Sequence, residues 1–213
     1  MTRWPAKEVM QERILETADR LFYQQGIRAV GVDTVAAEIG ISKRTLYNYF
    51  PSKDALIIAY LSRRFVPIKH SDRPALEQIL RIFDWLERWF ASDTFRGCAF
   101  ANAVTELGDA SHPVCKIALG FKEQRRVWLR DILQSVGVAD PDGLSMQIAI
   151  LFEGAIASAL VRGDPGMARS AKAAARVLLT AAGVPDPAKE AELAAAPAQA
   201  LGASRKGGAK RQL

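Results

Sequence analysis

Apolar positions recur along the chain at steps of three and four, the spacing of one face of an α-helix. From Ala6 to Gln25 the positions are Ile14, Leu15, Ala18, Leu21 and Phe22, and Gly26 then supplies a left-handed C-cap. A short second helix near Val32–Ile39 turns Val35, Ala36 and Ile39 inward. Gly40–Ser42 makes a tight turn, and Ser42 is placed to cap a third helix over Lys43–Phe50, whose inner face carries Leu46 and Phe50. Pro51 stops that helix, and Ser52 caps a fourth from Lys53 toward Arg64. Between Pro74 and Ala182 the pattern predicts five more helices, with breaks at Ser92–Gly97, Gly108–His112, Gly137–Gly143 and Gly163–Gly166. In the last break, glycine ends one helix while Asp164 caps the next and Pro165 opens it. No stretch alternates with period two for long enough to make a strand. The expected fold is all-α, with about nine helices.

Polar chemistry changes this picture first in the third helix. "ISKRTLYNYFPSK", residues 41–53, sets Lys43, Arg44, Thr45 and Asn48 on the face opposite Leu46 and Phe50. A buried helix would not tolerate these cations, and a merely solvated one has no use for Tyr47 and Tyr49. Two short helices joined by a glycine turn form a helix-turn-helix, whose second helix presents its first residues to base edges in the major groove. Lys and Arg donate to guanine, and Asn pairs with adenine. Tyr47, Tyr49 and Lys53 carry donors suited to phosphate oxygens.

Composition narrows the class. The 213 residues are 49% hydrophobic, enough for a substantial core, and the net charge of +6 favours an anionic partner. Two cysteines, Cys98 and Cys115, do not make a disulfide framework, and the N-terminal stretch shows no apolar signal core, so a cytoplasmic location is expected. The apolar run from Gly143 to Val161 contains Ser145, Gln147, Glu153 and Ser158, which mark a buried helix rather than a membrane span. No Cys/His cluster at ligand spacing, phosphate-cradling glycine loop, GxSxG or HExxH is present, so no enzyme, metal site or cofactor is expected.

Residues 12–60, with "LFYQQG" followed by "VAAEIGISKRTLYNYFPSKDAL", resemble the DNA-binding domain of the tetracycline-repressor (TetR) family. "LFEGAIASALVRGDP" is similar to the penultimate helix of many members. The resemblance implies that Lys43, Arg44, Thr45 and Asn48 face bases and that Tyr47, Tyr49 and Lys53 face phosphates. Where members often open the second helix with threonine, this chain has Gly31. It further implies a homodimer on a double-stranded DNA operator, formed through the last two helices, and a small-molecule effector. The implied domains are 1–52 for DNA binding, 53–182 for effector binding and dimerisation, and 183–213 as a disordered Ala/Pro-rich basic tail. A repressor mechanism, with release on effector binding, is the expected function. The alternatives are a constitutive dimeric DNA-binding protein and, more remotely, a ligand-sequestering protein or enzyme on the same fold.

In the C-terminal part, Trp85, Trp89, Phe121, Trp128 and Phe152 are candidate pocket residues, with Phe83 and Phe100 beside them. Cys98 follows a glycine at a predicted helix start, where a thiol can become acidic. Within the predicted helix from Pro113 to Val136, Val114, Ala118, Phe121, Arg125, Trp128 and Ile132 fall within roughly 40° of one line. A guanidinium in an apolar stripe is costly unless paired. Three resolutions stand open: Arg125 pairs with Glu106 or Glu153, it receives an anionic group of the effector, or it snorkels to water.

Overall fold

The computed structural model describes residues 7–186, and all regular structure within them is helical. α1 spans Lys7–Gln25, α2 Val32–Glu38, α3 Lys43–Tyr49 and α4 Lys53–Arg64. They are followed by α5 (Ala75–Phe90), α6 (Ala99–Leu107), α7 (Pro113–Ser135), α8 (Pro141–Arg162) and α9 (Met167–Ala181). The expected count of about nine is met among the described residues. The basic tail expected at 183–213 lies outside them from residue 187 on.

Two of the predicted boundaries need correction. Gly143 is not in a break: Asp140 Oδ1 accepts from its N–H at 2.8 Å, so the helix has already begun at Pro141. Asp164 does not cap a helix at Pro165. Its Oδ1 accepts from Gly166 N at 2.7 Å, closing a turn two residues on, and α9 starts at Met167. An aspartate engaged in so short a loop makes a turn before it can make a cap.

The N-terminal helices pack α1 on α2 and α4, and α2 on α3, around Ile14, Ala18, Phe22, Val35, Leu46 and Phe50. Ser42 Oγ accepts from Thr45 N and Ser52 Oγ from Ala55 N, both at 3.0 Å, so each serine satisfies an otherwise unpaired amide of the helix it opens. Gly40, at φ 73°, makes the turn between α2 and α3 possible without strain. In the C-terminal helices, α8 packs against α7 and α9, and α5 against α9. α8 is long and apolar enough to cross a membrane by length and composition alone, yet it buries Leu144, Ile148, Phe152 and Ile156 against its neighbours.

The two groups of helices are stitched together by α4, which packs against both α1 and α7. Arg64, in its last turn, forms a two-point ion pair with Asp19 of α1 at 2.5 and 2.7 Å and lies over the rings of Tyr23 and Tyr60. The Tyr23 hydroxyl donates to Gly97 O at 2.9 Å and accepts from Arg96 N at 3.0 Å, tying α1 to the loop before α6. Burial raises the tyrosine pKa of both Tyr23 and Tyr60 above the ordinary phenol value.

Candidate nucleic-acid interface and interior cavity

α3 is a seven-residue helix, and its burial pattern divides it sharply. Leu46 is completely buried while Lys43, Arg44, Tyr47 and Asn48 are exposed. Thr45, Tyr49 and Lys53 are half-buried. Arg44, Tyr47, Asn48 and Lys53 form no hydrogen bond or ion pair with any other described residue, so their polar groups are available. Two of the predicted contacts are already engaged. The Thr45 hydroxyl lies 2.8 Å from Ser42 Oγ, within the helix cap. Lys43 Nζ donates to Asp33 Oδ2 at 2.9 Å, an interaction that holds the ammonium pKa above its usual value. The Lys43 ammonium keeps two further donors, and an exposed pair such as this one can also open at little cost.

Two cavities of about 490 and 590 Å³ lie between the end of α4, α5, α7 and α8. They share the walls formed by Arg64, Val66, Trp85, Phe121, Arg125 and Phe152. All six residues picked from the sequence border one or both: Trp89 lines the smaller cavity and Trp128 the larger. Phe100 joins the smaller cavity and stacks on Phe121, with ring centroids 3.9 Å apart. Phe83 does not reach either cavity; it is core, packed edge-on against Phe152. Cys98, at the N-cap of α6, is a free thiol in the smaller cavity's wall.

The structure decides among the resolutions for Arg125. It is 9% exposed, which rules out snorkelling. Its Nη1 donates to Glu153 Oε1 at 2.9 Å. Glu106 is not its partner, because that carboxylate turns to α1's end and accepts from Arg28 N at 2.9 Å. Arg125 also lies 3.9 Å over the Phe152 ring and borders both cavities, so it is at once an ion-pair member and a cavity wall. Burial lowers its guanidinium pKa from the ordinary arginine value, with Glu153 opposing in part.

The α4–α5 connection, which helical periodicity does not single out, contributes to both cavities. Val66, Ile68, Lys69 and Arg73 from that loop line the larger cavity, and Arg63 and Arg64 from α4's last turn line the smaller. The signal was present in "FVPIKH", where a loop carries apolar residues that a purely solvated connection would not need.

Residues 14–60 match the family model of bacterial regulatory proteins of the tetR family. Over most of its length, the fold is that of a TetR-family transcriptional regulator from Streptomyces coelicolor, with a TM-score of 0.73 and 30% identity, covering 81% of this chain and 95% of that one. The chain belongs to the TetR family. An HTH-type transcriptional regulator of Mycobacterium tuberculosis is 34% identical over 87 residues, a stretch spanning 41% of this chain and only 42% of that protein. The HTH-type regulator YjdC of Escherichia coli is 25% identical over 162 residues, covering 72% of this chain and 84% of that relative. As in those regulators, the N-terminal part of this TetR-family chain is a DNA-binding helix-turn-helix.

Proposed function

We propose that the chain is a one-component cytoplasmic repressor. As a homodimer it binds a palindromic operator and leaves it when a small molecule fills the interior cavity. Residues 1–52 serve DNA binding and 53–182 sensing and dimerisation. Arg44, Asn48 and Lys43 read bases, Thr45 supports them, and Tyr47, Tyr49 and Lys53 hold phosphates. The observation that carries the reading is α4: it begins at Lys53, shortly after the helix-turn-helix, and its last turn forms a cavity wall.

The dimer reading is supported by the outer face of α8 and α9. Met146, Ile150, Val161 and Val177 are 47%, 62%, 86% and 68% exposed, and a Cβ at Gly154 on the same face would meet nothing within 4 Å. A monomer gains nothing from so much exposed aliphatic surface on two adjacent helices, whereas a second copy would bury it.

The test is selection of genomic DNA by the full chain, followed by footprinting and sedimentation of the complex. Two protected half-sites about one helical turn apart or a multiple of it, bound by two protomers, are expected. Absence of any sequence-selected fragment would end the DNA-binding assignment.

A further inference from the structure

The larger cavity is lined by five cationic side chains, Arg64, Lys69, Arg73, Arg81 and Arg125, and by no acidic one. Several of these have partners: Arg64 pairs with Asp19, which with Glu16 lines the smaller cavity, while Arg73 and Arg81 share Glu77. Lys69 forms no ion pair with a described residue, and Arg125 is the deepest. Arg125 does not own its carboxylate, because Lys122 also binds Glu153, leaving two cations on one anion. A guanidinium carries five N–H donors, and only one hydrogen bond, Nη1 to Glu153, satisfies them among the described residues. A few residues along the same helix, Trp128 is 6% exposed and its indole Nε1 has no acceptor. A buried donor without an acceptor is rare, and a ligand or an ordered water can supply the acceptor that the Trp128 indole lacks. Apart from Ser71 and Gln78, the remaining walls are apolar and aromatic, with Trp85, Phe121, Phe152 and Ile82 among them.

We propose that the effector is an organic anion with a flat or elongated apolar body and one carboxylate-like group. The anion sits against Arg125, and the body lies among Trp85, Phe121 and Phe152. Phe152 stacks on the face of the guanidinium, so the ligand's oxygens approach along its edge, where the unused donors point. Volumes of about 490 and 590 Å³ suit a ligand of drug-like size. A neutral ligand would leave the excess charge unanswered. This proposal rests on the cavity being the effector site.

The experiment titrates the full chain with naphthalene- and pyrene-carboxylates and their matched carboxamides, following quenching of the cavity tryptophans. The same ligands are then added to the chain bound to its selected DNA. Each carboxylate that binds should do so at least about tenfold more tightly than its amide. Arg125→Met should abolish that preference, so that each acid binds no more tightly than its amide, and Arg125→Lys should keep part of it. Arg125→Met leaves Glu153 with Lys122, so the variant retains a paired carboxylate and a folded core. Equal binding of acids and amides, an acid preference that survives in Arg125→Met, or no binding of either series at millimolar concentration would each overturn the proposal. The DNA arm separates the two readings. Acids that bind with the expected preference yet do not release DNA would support the anion site and refute effector control. Amides that bind equally well and release DNA would refute the anion site alone.

Discussion

Asp19→Asn tests whether the Arg64 ion pair fastens the cavity wall to the DNA-binding helices. Arg64 and Asp19 side chains are 28% and 26% exposed, with two short contacts at 2.5 and 2.7 Å. Removing one partner of a fully buried pair costs roughly 3–5 kcal/mol, whereas exposed pairs are worth about 0–1. At one-quarter exposure the attraction is partly screened, and asparagine retains one acceptor oxygen for the guanidinium. Arg64 also keeps its place over Tyr23, 4.3 Å from the ring centroid. The expected loss is therefore about 1.5 kcal/mol, which for a chain of this size lowers Tm by about 3–6 °C. Scanning calorimetry measures it, with Glu16→Gln as the internal standard. Glu16 touches Arg63 at 3.7 Å across a pair 36% and 61% exposed, and its loss should cost under about 0.5 kcal/mol. A Tm for Asp19→Asn no lower than that of Glu16→Gln would refute the argument that burial makes the inner pair the stronger one.

Lys43→Ala should weaken operator binding by about 1–3 kcal/mol and relax base preference at one position per half-site, as read by competition with mutated operators. Asp33→Ala, which frees Lys43 and removes a negative charge beside the proposed DNA contacts, should tighten binding in an operator titration; weaker binding would show that Asp33 positions the lysine. Val161→Asp places a charge at a site 86% exposed in one protomer, so the chain should stay folded but sediment as a monomer and lose operator affinity. Gly26→Ala forces a side chain onto φ 94° with its Cβ 3.0 Å from Glu106 Oε2, and should cost about 1–2 kcal/mol in thermal unfolding.

Much of this was legible in the sequence because local rules agreed with one another. Ser42 and Ser52 each cap the helix predicted for them, and Leu46 and Phe50 are as deeply buried as their spacing implied. The α7 stripe was equally legible, down to the conflict posed by Arg125. What could not be read was which elements face each other. Glu106 and Glu153 are equivalent candidates on paper, and only the packing of α7 on α8 brings Glu153 within reach. Asp19, Tyr23 and Arg64 are ordinary surface residues by helical periodicity, since their meeting depends on how α4 crosses α1. The loop from 65 to 74 has no periodicity, so the apolar residues of "FVPIKH" point to burial without saying which helices they face across the cavity.

The proposed coupling gains a physical route from these same contacts. α4 has 12 residues, so it is a rod of about 18 Å, and neither end is free to move alone. At its start, Ser52 caps it two residues after Phe50, which anchors α3 in the core. At its end, Arg64 is held by Asp19 of α1 and also borders both cavities. An anion entering near Arg125 also approaches Arg64, and any attraction it exerts on Arg64 competes with Asp19. If the ligand wins, the end of α4 is drawn toward the cavity and its start carries the helix-turn-helix with it. If Asp19 wins, the ligand binds without moving the rod. Full switching between two arrangements requires roughly a 10⁴-fold difference in ligand affinity between them, about 5.5 kcal/mol. The Asp19–Arg64 pair alone is too weak to set that difference, so the coupling must also draw on how α4 packs against α7 and on the Tyr23 clamp at Gly97. On this argument, Asp19→Asn shifts the ligand concentration at which DNA is released without abolishing the response.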